Sequence, residues 1–203
     1  MCGVIGVSLK SVSESDISLV QRIFLESQIR GKHATGVSFL KDGAIHTIKD
    51  SIPADEFVKK YDFHEFVDNG SLNLIGHCRY STSDLLYNQP LATENKSIVH
   101  NGVISQELPE NWEKLYGVKC ETKNDSELLL HTDGDILKTW KDASISVIVL
   151  NKDGVFATRN GKRPLYKSTM TNGFIYTSTG DIARRAGINE SHRVPFEGKD
   201  LQP

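Results

Sequence analysis

The sequence predicts an α+β fold with antiparallel sheets. Strand-like runs and helical segments are mixed along its 203 residues without regular βαβ alternation, which disfavours a parallel sheet. From Ala143 onward, four short strand-like runs are separated by glycines, as expected of an antiparallel meander. We find no internal repeat, low-complexity tract or linker, so we expect a single domain over residues 1–203.

Composition narrows the classes of function. Hydrophobic residues make up 38% of the chain and charged residues 25%, which is typical of a soluble globular protein. The net charge of -2 argues against a nucleic-acid partner, and no apolar run approaches the length of a membrane span. The apolar run near Met1 is too short and has the wrong flanks for a secretory signal, and the three cysteines suit neither a disulfide framework nor a metal site. We therefore expect a cytoplasmic protein without a bound metal.

The first half of the chain predicts a strand, a capped helix and a hairpin. The run 4–9 is apolar and strand-like. Ser13, followed by Asp16 three residues later, is typical of a helix N-terminus. We expect that helix to end near residue 30. The remaining predictions are strands over 35–40, 44–48 and 72–80, a hairpin turn at Asp42-Gly43, and a short helix over 51–61.

The second half alternates loops, short strands and one longer helix. Residues 83–95 are polar and rich in turn formers, so they predict a loop. A strand over 97–104 is interrupted by Asn101-Gly102, a pair that marks a sharp turn. One helix is predicted over 124–137, with Asn124 or Asp125 as its cap and Gly134 weakening its middle. Further strands are predicted over 145–150, 155–158, 164–167 and 174–177, with a short helix after Asp181.

A cysteine directly follows the initiator methionine. Because its side chain is small, an aminopeptidase could remove Met1 and leave Cys2 with a free α-amino group. Such an amine has an ordinary pKa of about 7.7–8.0. One residue would then carry both a nucleophile and a base suited to neutral pH. The alternative is a chance cysteine beside a start codon, and these residues taken alone favour that alternative.

Five short signals stand in order along the chain and together resemble one enzyme family. They are Met1-Cys2-Gly3, Arg30-Gly31 with Gly36, Gly76-His77-Cys78-Arg79-Tyr80-Ser81-Thr82, His100-Asn101-Gly102, and Asn124-Asp125-Ser126-Glu127. This order resembles the class II glutamine amidotransferases, which are N-terminal-nucleophile hydrolases. It is nearest in motif to the glutaminase domain of amidophosphoribosyltransferase. The resemblance runs from Cys2 to about residue 187 and implies a four-layer αββα sandwich.

The resemblance also implies a nucleophile and an oxyanion hole. Cys2 would attack the side-chain amide of L-glutamine, form a γ-glutamyl thioester and release ammonia, while its own α-amine moves the proton. The Asn101 side chain and the Gly102 backbone N–H would stabilise the tetrahedral oxyanion. No metal or other cofactor is implied. Without these partners, Asn101-Gly102 would be interpreted as a plain hairpin turn.

Five further residues would hold glutamine or shape its site. By the same resemblance, Arg79 would bind the α-carboxylate, Thr82 would add a hydroxyl donor, and Asp125 would accept from the α-ammonium. Arg30 and Gly31 match a family position beside the nucleophile, where they would shape the loop over the site.

Each of these assignments has a structural alternative. Arg79 could be an ordinary charge at the end of a strand, and Asp125 could be a helix N-cap. Arg30-Gly31 could be a helix C-terminus closed by a glycine. The structural and functional interpretations are compatible for Asp125 and for Arg30-Gly31.

Other residues in or near the motifs receive structural roles. We expect His77 to support its strand rather than to act as a base. Cys78 and Cys120 are expected to be buried small hydrophobes. The segment 159–165 resembles a later family motif but is shorter, so we assign it to structure. The loop 83–95 diverges from the family pattern, beginning with serine where synthase-type members carry a histidine.

The chain ends where a family enzyme would begin its acceptor domain. We therefore expect the ammonia to be used by a synthetase acting in trans, with no nucleic-acid or membrane partner. Two alternatives stay open. An amidohydrolase acting on another amide is disfavoured by Arg79 and Asp125, which together suit a free α-amino acid. A non-catalytic glutamine-binding subunit is disfavoured by Cys2, Asn101 and Gly102.

Overall fold

Two antiparallel β-sheets form the centre of the protein, in a computed structural model that describes residues 1–81, 87–196 and 199–200. The strands are β1 (Gly3–Leu9), β2 (Ala34–Lys41), β3 (Ala44–Asp50), β4 (Leu72–Arg79), β5 (Leu91–Ala92), β6 (Lys96–Asn101), β7 (Ser146–Asn151), β8 (Gly154–Arg159), β9 (Tyr166–Met170), β10 (Gly173–Thr177), β11 (His192–Arg193) and β12 (Lys199–Asp200). The helices are α1 (Glu14–Ser27), α2 (Ala54–Lys60), α3 (Trp112–Tyr116), α4 (Glu127–Leu130), α5 (Ile136–Thr139) and α6 (Gly180–Arg185), with 3-10 turns at Gln28–Arg30, Phe63–Phe66 and Pro109–Asn111.

The strand order places the N-terminus at the middle of a sheet. The first sheet has the order β11-β9-β10-β1-β4-β2-β3, and the second has the order β12-β8-β7-β6-β5. Within the first sheet, β1 pairs on both sides, with Ile5 opposite Gly76 of β4 and Thr177 of β10. Since both edges of β1 are hydrogen-bonded, the residue that precedes it is held in a defined position.

Three apolar clusters fill the spaces between four layers. The central cluster joins side chains such as Val4 and Tyr176 of the first sheet to Ile148 of the second. Helices α1, α2 and α6 pack on the outer face of the first sheet, in a cluster that includes Phe24 and Phe57. Helices α3, α4 and α5 cover the outer face of the second sheet. The order helix, sheet, sheet, helix confirms the predicted αββα sandwich.

The predicted start of α1 is confirmed, but α1 ends at Ser27, before the predicted end near residue 30. The Ser13 hydroxyl accepts from the Asp16 N–H at 3.2 Å, and the Asp16 carboxylate accepts from the Ser13 N–H at 3.0 Å. This reciprocal pair is a capping box, which satisfies backbone donors that the first helical turn leaves unpaired. The helix passes into a 3-10 turn that ends at Arg30. The predicted turn at Asp42-Gly43 joins β2 to β3.

The single helix predicted over 124–137 is wrong. The segment forms two short helices, α4 and α5, because side chains end one and start the other. Thr132 Oγ1 donates to a carbonyl in α4 at 2.6 Å and accepts from Trp140 Nε1 at 2.8 Å. Asp135 then accepts from two backbone N–H groups at the start of α5. These local bonds compete with a continuous helix.

The meander predicted after Ala143 is wrong in its pairing. β7 and β8 pair in the second sheet, whereas β9 and β10 pair in the first. The chain crosses between the sheets through residues 160–165, and Leu165 on that crossing is fully buried. A hydrophobic run predicts a strand but does not specify the sheet it joins, because that depends on long-range packing. The predicted loop 83–95 also contains the short strand β5.

Candidate active site

Five of the sequence-predicted site residues meet in one cavity at the ends of strands from both sheets, whereas Arg30 and Gly31 are not among its described lining residues. Cys2 directly precedes β1 and Arg79 ends β4, both in the first sheet. Asn101 ends β6 in the second sheet, with Gly102 next to it, and Asp125 comes shortly before α4. All five line a cavity of about 310 Å³. Thr82, the remaining predicted substrate donor, lies outside the described residues.

The Cys2 thiol lies against the end of β4. Its Sγ donates to the Tyr80 carbonyl oxygen at 3.7 Å, and Arg30 Nε donates to the Cys2 carbonyl oxygen at 3.4 Å. Arg30 thus lies beside the proposed nucleophile, as the resemblance implies. Cys2 is only half-buried, so a small molecule in the cavity can reach its sulfur.

The Asn101 side chain is a buried donor without a partner. Its Nδ2 makes no hydrogen bond within the described part of the chain. The hairpin-turn interpretation of Asn101-Gly102 is wrong, because β6 pairs with β5 and β7 and no strand follows it until β7. Gly102 has φ +145°, and an added Cβ would lie 2.0 Å from the Ser144 carbonyl oxygen, so only glycine fits.

Arg79 and Asp125 bring opposite charges to the cavity. Arg79 Nη1 donates to the Asn88 side-chain oxygen at 2.6 Å. Asp125 Oδ2 accepts from the backbone N–H groups of Ile104 at 2.6 Å and Ser105 at 3.0 Å. The helix-cap interpretation of Asp125 is therefore wrong, because its carboxylate holds the segment after Gly102 instead of its own helix.

Gly31 is required by a close approach of two backbones. Its N–H bonds to the Gln28 carbonyl at the end of the 3-10 turn, which agrees with its predicted role at a helix C-terminus. An added Cβ would lie 2.2 Å from the Arg79 carbonyl carbon and 2.3 Å from the Tyr80 nitrogen. The loop after α1 therefore presses directly on the strand end that carries Arg79.

Two buried histidines flank the cavity and are neutral. Burial lowers the pKa of His77 to about 3 and of His100 to about 4. His100 Nε2 donates to the Ser144 carbonyl at 3.0 Å, and its Nδ1 accepts from the Ser126 hydroxyl at 2.8 Å. Both His100 nitrogens are occupied, so this ring braces the segment around Asn101. Sequence reasoning missed this role.

The other two cysteines lack the environment of a reactive thiol. Cys78 is fully buried, and burial raises the pKa of its thiol to about 12. Cys120 is half-buried rather than buried as predicted, and desolvation likewise raises its thiol pKa to about 12. The sequence prediction of small hydrophobes therefore holds fully for Cys78 and only partly for Cys120.

Sequence reasoning also assigned Arg163 to structure, yet this residue lines the cavity with Cys2.

Gln89 is a second residue whose role the sequence did not indicate. Its Oε1 accepts from the His100 N–H at 2.6 Å, and its Nε2 donates to the Ser126 hydroxyl. These contacts join residues that are distant in sequence, so no local pattern specifies them.

Neither a metal site nor a membrane span is evident in the described part of the chain. No group of three His, Cys, Asp or Glu side chains there is arranged to hold a metal ion. No helix among the described residues is both long and apolar enough to cross a membrane.

Part of the sequence is shared with known enzymes, although no family model matches the chain. It is 29% identical over 147 residues to glutamine–fructose-6-phosphate aminotransferase (isomerizing) of Bartonella quintana. It is 29% identical over 143 residues to the protein of the same name from Bradyrhizobium diazoefficiens. Each match covers 68% of this chain but 23% and 22% of the respective relative, so the chain corresponds to about a quarter of their length.

The fold is shared with solved structures. Glutamine phosphoribosylpyrophosphate amidotransferase from B. subtilis matches with a TM-score of 0.70 and 19% identity, over 95% of this chain and 44% of that one. A glutamine aminotransferase class-II domain protein from Silicibacter pomeroyi matches with a TM-score of 0.57 and 12% identity, over 100% of both chains. At these identities the structural likeness shows the fold alone. The chain is thus similar in sequence to part of these aminotransferases, and it shares the fold of these glutamine amidotransferase structures.

Proposed function

We propose that this chain hydrolyses the side-chain amide of L-glutamine, with Cys2 as the nucleophile after removal of Met1. The observation that carries the proposal is one cavity containing the Cys2 thiol and the buried, unpartnered amide nitrogen of Asn101. A buried donor without a partner is costly, and a developing oxyanion would supply that partner. Met1 is 64% exposed, which leaves it accessible to an aminopeptidase.

The proposed reaction has two halves. The free α-amine of Cys2 takes the thiol proton, and the thiolate forms a C–S bond to the amide carbon. The displaced electron pair resides on oxygen, where Asn101 Nδ2 and the Gly102 N–H would stabilise it. Collapse of this intermediate breaks the C–N bond, and the α-ammonium donates its proton to the leaving ammonia. Water then attacks the γ-glutamyl thioester, and the same amine accepts a proton of the water. The C–S bond breaks to release glutamate, and the α-ammonium returns the proton to the Cys2 sulfur.

Charge in the cavity supports a free α-amino acid as the substrate. Arg79 would bind the α-carboxylate through its planar fork, and Asp125 would accept from the α-ammonium. Arg30 and Gly31 would form the wall beside the nucleophile, and Thr82 would add a donor. An amidohydrolase acting on other amides would not need this pair of charges. A non-catalytic glutamine-binding subunit would not need a buried donor facing a thiol.

The first test measures glutamate released from glutamine by the purified chain. Wild type should produce glutamate, and its intact mass should show loss of Met1. Cys2→Ala should bring the rate to the level of the buffer, whereas the matched control Cys120→Ala should retain it. Asparagine should not be hydrolysed. Full activity in Cys2→Ala, or in a protein that keeps Met1, would contradict the proposal.

We further propose that residues 1–203 act as one cytoplasmic domain whose ammonia is used by a synthetase acting in trans. This proposal is supported by the names of the similar proteins, an aminotransferase in sequence and an amidotransferase in fold. We expect low basal glutaminase activity that rises when the cognate synthetase and its acceptor substrate are added, because partner binding commonly completes a site. Co-purification from the native host would identify the synthetase. Full-speed activity of the isolated chain would favour a free-standing glutaminase.

A further inference from the structure

A second arginine, on the crossing between β8 and β9, lines the cavity that contains the proposed nucleophile. Arg163 lines the cavity with Cys2, and its Nε is buried without a hydrogen-bond partner among the described residues. Its backbone is fixed from behind, because Arg159 Nε donates to the Arg163 carbonyl and Arg159 Nη1 to the Val194 carbonyl, both at 2.8 Å. Pro164 further restricts the conformation of the residue before it. The crossing therefore holds a positive charge at the cavity.

The charges around Cys2 do not balance. Arg30 contacts Cys2, and Arg79 and Arg163 line its cavity, whereas Asp125 is the sole carboxylate among the described lining residues. The ion pairs found in the described part of the chain include neither Arg30 nor Arg163. Burial lowers the pKa of Arg30, Cys2 opposes that shift, and the charge of Arg163 adds to it. The two guanidinium groups therefore lie within electrostatic reach of each other.

Substrate binding would leave this imbalance at the nucleophile. The α-carboxylate and α-ammonium of glutamine would pair with Arg79 and Asp125, so Arg30 and Arg163 would stay uncompensated. Asp181, which lines a neighbouring pocket with Met1 and Arg30, pairs with Arg184 and Arg185.

Two histidines and one thiol buried near the cavity carry no charge near neutral pH. His77 on β4 and His100 on β6 are neutral because burial lowers the pKa of His77 to about 3 and that of His100 to about 4. The Cys78 thiol on β4 stays protonated because burial raises its pKa to about 12.

We propose that Arg163, together with Arg30, keeps the α-amino group of Cys2 neutral and therefore available as the base. The inference rests on the proposed function, in which Met1 is removed and this amine takes the thiol proton. A nearby positive charge disfavours the ammonium form, and the effect is stronger in a partly buried cavity than in water. The same charge favours the thiolate and the oxyanion that form during the reaction. Arg163 acts through the amine and is a positioning residue.

The pH dependence of kcat/KM for glutamine tests this inference, because its acid limb reports the base of the free enzyme. Arg163→Gln should move that limb to higher pH by about 0.5–1 unit, the size expected for loss of one unit charge from a partly solvated cavity. Activity at about pH 6 should then fall roughly 3–10-fold, with recovery above the limb. Arg163→Lys should leave the limb in place. The matched control Lys162→Gln removes an exposed charge from the same crossing and should also leave it in place.

The outcomes separate this inference from the proposed function. If Arg163→Gln lowers kcat while its acid limb stays at the wild-type pH, the inference is overturned in favour of a purely structural role. If the wild type releases no glutamate at any pH, the proposed function itself fails. Arg163→Met is the second charge-free variant if Arg163→Gln does not fold. For the wild type, raising the ionic strength of the buffer should also move the acid limb to higher pH, because salt screens the guanidinium charges. A limb unmoved by salt would also count against the inference.

Discussion

At the scale of single residues, the candidate site is organised around donors rather than around a side-chain base. Asn101 presents a buried N–H group that has no partner among the residues the structure describes, and its neighbour His100 is occupied at both ring nitrogens. Asp125 uses one carboxylate oxygen to hold Ile104 and Ser105, which follow the proposed oxyanion donor Gly102. These contacts fix the donors before a substrate arrives, so little reorganisation is needed when negative charge develops.

Asn101→Ala should therefore lower kcat by roughly 10²–10³-fold with little change in KM, because the lost hydrogen bond forms mainly in the transition state. Steady-state glutaminase kinetics would measure both constants. Asn95→Ala is the matched control, since Asn95 is exposed in the turn before the same strand. A normal kcat in Asn101→Ala would remove this residue from the proposed oxyanion hole.

At the scale of elements, the site depends on how tightly the turn after α1 packs on the end of β4. Gly31 leaves no space for a side chain against the backbone of Arg79 and Tyr80. This contact positions Arg79 through main-chain atoms, so a change in the turn would be transmitted to the Arg79 guanidinium, the proposed ligand of the substrate carboxylate.

Gly31→Ala should destabilise the fold by about 1–3 kcal/mol, because the added methyl group must displace backbone. It should also raise KM for glutamine several-fold by shifting Arg79. Urea unfolding and steady-state kinetics would measure the two effects. Gly180→Ala is a milder control, since its added Cβ would lie 3.1 Å from the Ser191 hydroxyl. If the stability and the KM of Gly31→Ala equal those of the wild type, the turn can shift without moving β4, which would contradict this account.

The sequence predicted some elements of the fold correctly and others incorrectly, depending on whether the deciding contacts are local. Local signals sufficed where neighbours in sequence make the contact, as in the capping box of Ser13 and Asp16. They failed at 124–137, where bonds of Thr132 and Asp135 divide the helix. Arg163 was misjudged for a related reason. Its segment is irregular in sequence, and it reaches the cavity only because β8 and β9 belong to different sheets.

At the scale of the whole molecule, the stability of the sandwich depends on keeping two histidines uncharged. His77 and His100 are buried, with pKa values lowered to about 3 and about 4. The unfolded chain takes up protons near pH 6.5, whereas the folded chain does so only near those lower values. Folding stability is therefore full above about pH 6.5 and is lost as the pH falls toward 4.

The free energy of unfolding should thus fall between pH 7 and pH 4.5 by an amount on the order of a few kcal/mol. Urea unfolding at a series of pH values would measure it. His77→Gln should reduce the slope of stability against pH, because one of the two protons no longer contributes. His192→Gln, at an exposed position, should leave the slope unchanged. An equal slope in His77→Gln and wild type would contradict this account.

The two sheets divide the proposed chemistry between them, since Cys2 precedes a strand of the first and Asn101 ends a strand of the second. The distance from the Cys2 sulfur to the Asn101 amide nitrogen therefore depends on how the two sheets are aligned. The apolar layer of Val4, Ile148 and Tyr176 between the sheets sets that alignment. Turnover should be more sensitive than circular dichroism to any sliding of those bodies. Hydrostatic pressure, or a substitution that creates a cavity in that layer, should lower the rate of glutamine hydrolysis while each sheet keeps its hydrogen bonds.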